Sequence, residues 1–272
     1  MKENKITTDS ISSFKNINVS LDGKPRKILG RVFPESDECI FCIYKFNLEQ
    51  NSDKILAKNN SAFVIKNKWG IFNDDAEVII ADKHVNIINK LNYEDNFNFL
   101  SMLFERYQIN KNIYKNVLFF INIGIFSGGS IEHLHGQVVG VNENLSDIGS
   151  SFYNIDKIMQ DISTSYNERL ILSSENGSII YIPVAGIVGG EIRILSDDIS
   201  SLVVSLVNLL NSIDSNYNYS YNLVFHFIDG KYFAQYLPRH EIGIIYPMYL
   251  NTSINHYNNR EYFNNLVHNL LK

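Results

Sequence analysis

Short apolar runs alternate with polar or glycine-containing segments along the first half of the chain. The runs have the length of strands and lie at 62–66, 77–81 and 117–123. A longer segment, 92–107, carries large apolar residues at helical spacing and therefore predicts an amphipathic helix. Residues 1–30 predict an irregular lead-in, and 49–60 predicts a loop or a frayed helix.

The second half repeats this order of elements. Its predicted strands lie at 178–183, 191–195, 221–228 and 232–237. A helix is predicted over 198–213, and the Asp229-Gly230 turn favours a hairpin between the last two strands. The polar stretch 145–168 predicts a partly helical connection between the halves.

The two halves also resemble each other residue by residue. Segment 114–124 matches 220–230 at an offset of 106, and 133–137 matches 231–235 at an offset of 98. The difference of eight equals the length of 125–132, a glycine-rich insertion that the second half lacks. An internal duplication is therefore predicted.

The composition bounds the class of protein. With 272 residues, of which 45% are hydrophobic and 19% charged, the chain is an ordinary globular protein. The duplication divides it into 1–145, which holds the chemistry, and a degenerate repeat, 146–272, packed as one unit with the first.

A net charge of −5 with dispersed Lys and Arg gives no electrostatic footprint for nucleic acid. There is no apolar run long enough for a membrane span and no apolar core of a secretory signal in residues 1–30, so we expect a cytoplasmic location.

Candidate chemistry is concentrated at 128–140, which reads GGSIEHLHGQVVG. His133, His135 and Gln137 alternate there with small or apolar residues, so a strand would place all three on one face. Such a face can offer a nucleophile, a metal ligand and a hydrogen-bonding amide. The alternative is that these are ordinary polar positions on the solvated face of a strand. In the second half Phe233 stands at the position of His135.

Cys39 and Cys42 form the only cysteine pair, in a CxxC motif. In a reducing compartment this pair indicates a metal or redox motif rather than a structural disulfide. A structural zinc site needs four ligands, and His84 and His133 are candidates for the other two. The remaining histidines of the second half are His226, His240, His256 and His268, of which His226 lies on an apolar strand, where a core histidine is the alternative.

Together, these motifs resemble the galactose-1-phosphate uridylyltransferase branch of the histidine-triad superfamily. They are CxxC, a strand ending in His84, Asn-x-Gly, Gly-Gly-Ser and His-Leu-His-Gly-Gln. The resemblance covers 31–141 clearly and 178–240 more faintly. It implies an α+β class with a duplicated histidine-triad-like fold: two repeats of antiparallel sheet with flanking helices, the second degenerate.

The resemblance also implies roles for individual residues. His135 would be the nucleophile that attacks the α-phosphorus of a nucleoside diphosphate-sugar, and Gln137 would hydrogen-bond the phosphoryl oxygens. The implied zinc ligands are Cys39, Cys42, His84 and His133. The implied substrate-binding residues are Asn67, Asn122, Gly128, Gly129 and Ser130.

Two departures from the family bear on the substrate. Leu134 stands where the uridylyltransferases usually have proline, and the chain is shorter than those enzymes, with no second-half metal set. These departures leave the substrate open. The resemblance predicts a zinc-containing nucleotidyltransferase that acts through His135. Its expected substrates are a nucleotide-sugar or dinucleotide together with a sugar phosphate or phosphate, and a homodimer is one expectation. The alternatives are a dinucleoside polyphosphate or ADP-sugar phosphorylase or hydrolase, and a non-catalytic, zinc-stabilised nucleotide-binding protein.

Overall fold

A computed structural model describes most of the region between residues 39 and 239. The described residues are 39–49, 54–67, 76–124, 127, 129, 131–141, 154–184, 186, 188, 190–214 and 220–239. Within them the helices are α1 (Ile40–Glu49), α2 (Tyr93–Lys111), α3 (Ile155–Asn167) and α4 (Ile199–Asp214). The strands are β1 (Ile55–Lys58), β2 (Ala62–Lys66), β3 (Ala76–Ala81), β4 (Asn116–Ile123), β5 (His135–Val141), β6 (Ile171–Glu175), β7 (Ser178–Tyr181), β8 (Ile192–Ser196), β9 (Tyr221–Ile228) and β10 (Lys231–Pro238).

These ten strands form a single antiparallel sheet. Its order is β1-β2-β3-β5-β4-β9-β10-β8-β7-β6, so each half of the chain contributes five strands in the same order from the edge inwards. The halves meet at the β4–β9 pair, where Asn122 lies opposite Asn222. The α+β class with a large antiparallel sheet is confirmed.

Helices α2 and α4 cover one face of the sheet and enclose the main core. Phe104 of α2 contacts Phe119 and Phe225 edge-on, with ring centroids 5.0 and 5.8 Å apart. Phe119 and Phe225, from β4 and β9, stack on each other with centroids 5.9 Å apart. The core is therefore continuous across the central strand pair.

Helices α1 and α3 each cover one half of the opposite face. Under α1 lies the cluster Cys39, Phe41, Phe63, Ile65, Val78 and Ile80. Under α3 lies the cluster Ile158, Ile162, Tyr181, Leu195 and Phe233. Between these two clusters, the central strands present Asn122 opposite Asn222 on this face, next to the buried apolar pair Phe120 and Val224.

Most predicted elements are present within a few residues of their expected bounds. Asn92 caps α2, because its side chain accepts a hydrogen bond from the Asp95 amide at 2.8 Å, so the helix begins where the pattern indicated. The connection predicted at 145–168 contains α3. No helix in the described part of the chain is long and apolar enough to cross a membrane.

Three elements differ from the sequence prediction. The cysteine pair lies at the start of α1, a helix that was not predicted; the segment 49–60 contains β1; and β6 was not predicted. The edge strands β1 and β6 bury few side chains completely, so their sequences lack the apolar run that marks an inner strand. Residues 1–30 and Trp69 lie outside the described residues.

Candidate active site and metal centre

The motif strand β5 lies between β3 and β4, fully buried along its length. Ile80 of β3 is opposite His135, and Val78 is opposite Gln137, so both polar side chains lie on the face covered by α1. Gly136 points to the other face, where an added Cβ would lie 2.8 Å from the Leu103 side chain of α2. The glycine of the motif thus allows α2 to pack directly on this strand.

Four side chains from three segments converge beside the start of β5. Cys39, Cys42, His84 and His133 bring one ligand atom each within 4.8 Å of one another. Cys39 Sγ lies 3.3 Å from His133 Nδ1, and Cys42 Sγ lies 3.3 Å from His84 Nδ1 and 3.7 Å from His133 Nδ1. In a tetrahedron with zinc–sulfur and zinc–nitrogen bonds of about 2.3 and 2.0 Å, adjacent sulfur and nitrogen ligands are about 3.5 Å apart. The set therefore has the spacing of a metal site.

Backbone geometry orients His133 for this role. Its Nε2–H donates to the Ala81 carbonyl at 2.8 Å, which leaves the lone pair on Nδ1, the atom that faces the thiols. Burial lowers the pKa of His133, so the neutral form that binds a metal is favoured. A carbonyl partner of this kind commonly supports a metal-binding histidine.

The protonation of Cys42 depends on whether a cation is bound. Burial, followed by the proximity of Cys39, raises the pKa of Cys42 to about 11. A divalent cation would reverse this shift, because a coordinated thiol is held as the thiolate. The Lys45–Asp82 ion pair at 2.7 Å fastens α1 to the end of β3 next to this cluster.

His135, the first residue of β5, is oriented differently from His133, which lies just before the strand. Its Nδ1–H donates to the His133 carbonyl at 2.7 Å, so the ring lone pair is on Nε2. Phe41 of α1 contacts His135 and His133 edge-on, with ring centroids 5.1 and 5.7 Å apart. The hydrogen bond to the His133 carbonyl thus holds the imidazole in one tautomer. Only 6% of His135 is exposed, so the site largely excludes water.

Gln137 is buried two residues further along the same face. Its Oε1 has no hydrogen-bond partner in the part of the chain that the structure describes, although the residue is only 7% exposed. A buried amide with one end unsatisfied is costly, by about 1–3 kcal/mol. In this orientation the amide therefore lacks a donor to its oxygen, and rotation of the amide would instead turn its N–H group to the same place.

Ser127 and Gly129, from the glycine-rich segment, lie against the end of β4. Asn222 Nδ2 donates to Asn122 Oδ1 at 2.7 Å and to the Ser127 carbonyl at 3.0 Å. Ser127 Oγ accepts from the Gly129 amide at 3.3 Å. An added Cβ on Gly129 would lie 3.1 Å from the Asn122 carbonyl, so this position favours glycine.

The structure thus brings most of the predicted site residues to one face. Asn67 follows β2, and its amide donates to the Ala76 carbonyl at 2.7 Å, which places it two strands away from β5. Gly128 and Ser130 lie outside the described residues. Sequence reasoning missed Phe41, because α1 was not predicted, and Asn222, because no motif marks it.

The second half has a different network at the corresponding place. Gln235 Nε2 donates to Glu191 Oε1 at 2.9 Å, and His226 Nε2 lies 3.1 Å from Gln235 Oε1. His226 is thus engaged within the second half and is not part of the four-residue cluster. Arg193 donates to both Glu191 and Asp161, at 2.7 and 2.8 Å. Arg193 is opposite Gln235, as Val78 is opposite Gln137, so a buried ion-pair network occupies a position where the first half has an apolar side chain.

With this geometry established, the chain can be compared with known proteins. Residues 18–144 match the N-terminal domain of DUF4931. This family model is described as a domain of unknown function. No curated protein matches the chain.

Several solved structures share the fold. A DUF4931 family protein from Bacillus cereus is 21% identical, with a TM-score of 0.59 over 80% of this chain and 100% of that one. An ADP-glucose phosphorylase from Arabidopsis thaliana with bound ADP-glucose is 14% identical, with a TM-score of 0.60 over 92% of this chain and 94% of that one. A uridylyltransferase is 11% identical, with a TM-score of 0.56 over 79% of this chain and 87% of that one. The resemblance to the uridylyltransferase branch is therefore confirmed at the level of the fold.

Proposed function

We propose that this protein is a nucleotidyltransferase that moves a nucleoside monophosphate between phosphorylated acceptors through a covalent intermediate on His135. The observation that carries the proposal is the tautomer of His135. Its Nδ1–H is held by the His133 carbonyl at 2.7 Å, so the nucleophilic lone pair is on Nε2.

The proposed first step needs no proton removal from the nucleophile. Nε2 attacks the α-phosphorus of a nucleotide-sugar, a P–N bond forms, and the P–O bond breaks with its electron pair going to the departing sugar 1-phosphate. The ring gains positive charge, which the bond from Nδ1–H to the His133 carbonyl stabilises. In the second step an acceptor phosphate oxygen attacks the same phosphorus, and the P–N electron pair returns to Nε2.

Gln137 is assigned the stabilisation of charge on the phosphoryl oxygens. It lies on the same strand face as His135, and one end of its amide has no partner among the described residues. Since amide oxygen and nitrogen are interchangeable by rotation, the Nε2–H group can face a bound phosphoryl group. Donors positioned in this way typically contribute about 10²–10³ in rate.

Zinc is the metal we propose for the Cys39, Cys42, His84 and His133 cluster. Two thiols and two imidazoles at tetrahedral spacing suit this ion, and four protein ligands close its coordination sphere, so its contribution is structural. Helix α1 is thereby attached to β5, with Phe41 packed against both motif histidines.

A second candidate is a phosphorylase that cleaves a nucleotide-sugar with inorganic phosphate. The fold similarity to the ADP-glucose phosphorylase, which extends over 92% of this chain, favours this version of the same chemistry. Hydrolysis and simple nucleotide binding are the remaining alternatives. They differ from transfer in the fate of the intermediate, so one experiment separates them.

The experiment is to incubate metal-loaded protein with UDP-glucose, ADP-glucose or diadenosine tetraphosphate and to measure its intact mass. One nucleotide should become attached in an acid-labile form, and His135→Asn should abolish the adduct. His226→Gln is the matched control, because it changes a histidine on the same sheet face and should still form the adduct. Adding glucose 1-phosphate or inorganic phosphate to the adduct then identifies the acceptor.

Failure of all three substrates to form an adduct, with metal bound and the protein folded, would contradict the covalent mechanism. An adduct that forms but is discharged only by water would leave the nucleophile in place and replace transfer by hydrolysis.

We further propose that the two halves arose by duplication. The identical strand order of the halves and the pairing of β4 with β9 across the centre support this origin. In the second copy Phe233 replaces the nucleophile, and only the first copy, 1–145, retains the chemistry.

A further inference from the structure

A line of hydrogen bonds runs from the second half of the chain into the candidate active site. Arg239, directly after β10, donates from Nε to Asn222 Oδ1 at 2.5 Å. Asn222, which is fully buried, donates from Nδ2 to Asn122 Oδ1 at 2.7 Å. The Arg239 backbone amide donates to the Ser220 carbonyl at 2.8 Å, so its position is tied to the β9 strand.

The chemistry of arginine determines the direction of every bond in this line. A guanidinium can only donate, so Asn222 must turn its oxygen towards Arg239 and its Nδ2 towards Asn122. Asn122 must then accept with its own oxygen. Its Nδ2, a donor, is left on the other side of the side chain. The two-fold ambiguity that normally affects asparagine amides is thus removed for both residues.

Asn122 presents this donor next to the reactive histidine. Ile121 pairs with Gly136, so the next residues on the site face of β4 and β5 are Asn122 and His135. Neighbouring strands are about 4.8 Å apart, so the side chains of Asn122 and His135 are close enough to contact the same phosphoryl group. Asn222 also donates to the Ser127 carbonyl, so one buried amide holds both Asn122 and Ser127.

We propose that Arg239 and Asn222 are positioning residues that fix Asn122 as a hydrogen-bond donor to a non-bridging phosphoryl oxygen of the nucleotide on His135. The degenerate half of the chain therefore completes the site of the first half. This inference rests on the proposed function, since it assumes that a phosphoryl group is bound at His135.

The decisive variant is Asn222→Asp. The new carboxylate still accepts from Arg239 but has no donor for Asn122, so the Asn122 amide must rotate and turn its oxygen towards the phosphoryl group. We expect adduct formation to slow by about 100-fold, the usual effect of losing one such donor. Arg239→Met should slow it less, because the Ser127 carbonyl still accepts from Asn222 Nδ2 and favours the same orientation. Arg239→Lys, which keeps a cationic donor, should slow it least.

Asn110→Asp is the matched control. Asn110 is also a buried amide, 2% exposed, that donates to a backbone carbonyl, but it lies on α2 on the other face of the sheet. It should lower stability without changing the rate of adduct formation. Thermal unfolding of each variant separates loss of folding from loss of positioning.

A second measurement tests the inference independently of turnover. In metal-loaded protein labelled with ¹⁵N-asparagine, the side-chain amide of Asn122 is assigned by its absence in Asn122→Asp. Adding UMP or AMP should shift this resonance in the wild type and leave it unchanged in Asn222→Asp. No shift in the wild type, or equal shifts in both proteins, would overturn the inference. A wild type that forms the adduct while Asn222→Asp forms it equally fast would also overturn it and would leave the proposed function intact.

Discussion

Two histidines two residues apart, His133 just before β5 and His135 at its first position, have different tautomers set by two backbone carbonyls. The Ala81 carbonyl accepts from His133 Nε2, and the His133 carbonyl accepts from His135 Nδ1. The first ring therefore offers Nδ1 to the thiols, and the second has its lone pair on Nε2. The sequence motif predicts two histidines on one face, but only the position of β3 beside β5 determines which nitrogen of His133 is protonated.

At the same scale, His226 predicts a dependence of stability on pH. Burial lowers its pKa to about 3, well below the ordinary histidine value of 6.5. As pH falls below 6.5 the unfolded chain binds a proton at this site and the folded protein does not, so stability decreases as pH falls towards 3. At pH 5 the loss attributable to this residue should be about 2 kcal/mol.

The measurement is urea unfolding of the wild type and of His226→Gln at pH 7 and pH 5. Glutamine does not titrate in this range, so the variant should lose about 2 kcal/mol less than the wild type between the two pH values. Acid effects at the metal cluster are common to both proteins and cancel in the comparison. Equal losses in the two proteins would show that His226 titrates normally.

At the scale of elements, the helices α1 and α3 are attached to the sheet in different ways. Helix α1 carries the cysteine pair and is joined to β5 through the cluster with His84 and His133. Helix α3 is joined to β8 by an ion pair, in which Arg193 Nη1 donates to Asp161 Oδ2 at 2.8 Å. Arg193 is 5% exposed and also binds Glu191, so α3 is held to the sheet through buried charge, whereas α1 contributes to the Cys/His cluster.

Asp161→Asn should therefore loosen α3 while leaving the metal cluster intact. Removing one carboxylate from a buried arginine that retains another should cost about 1–3 kcal/mol of folding free energy, less than for a fully buried isolated pair because Asp161 is 19% exposed. Hydrogen exchange should accelerate in α3, and metal content should stay at the wild-type level. Asp156→Asn, an exposed change on the same helix, should cost less than about 1 kcal/mol. Similar losses for both variants would argue against the role assigned to the Arg193 ion pairs.

The elements that sequence patterns predicted are those with a strong apolar period. The inner strands β3, β4 and β9 and the helices α2 and α4 each bury a continuous series of apolar residues, and all were expected. Helix α1 was not expected, because its cysteines indicated a metal site without indicating a helix. Phe41 of this short helix packs on His133 and His135, so α1 does not need the wide apolar stripe that marks a helix in the sequence. The edge strands β1 and β6 were not predicted, because none of their side chains is fully buried and their sequences lack the apolar run of an inner strand.

At the scale of the whole molecule, the site depends on contacts that no local pattern encodes. The motif around His135 is local, so the proposed nucleophile, the amide of Gln137 and the four residues of the Cys/His cluster could be named from residue type and spacing together with a family resemblance. Asn222 is 100 residues from Asn122, and the bond between them depends on the register of β4 against β9. That register follows from the packing of the aromatic core beneath the central strands, so Asn222 and Arg239 could be recognised only in the folded protein.

The central β4–β9 pair also predicts that loss of the metal destabilises both halves together. Cys39→Ser replaces a fully buried ligand with a poor one, so metal content should fall and α1 should detach from β5. Because the sheet and the aromatic core are continuous across the centre, the weakened first half should lower the stability of the second. We expect a single thermal transition, shifted to lower temperature, with hydrogen exchange increased in β9 and β10 as well as in β2 and β3.

Metal analysis accompanies the measurement, and unchanged metal content would contradict the assigned ligand set. Two transitions, with β9 and β10 retaining wild-type stability, would instead show that 1–145 and 146–272 fold as independent units.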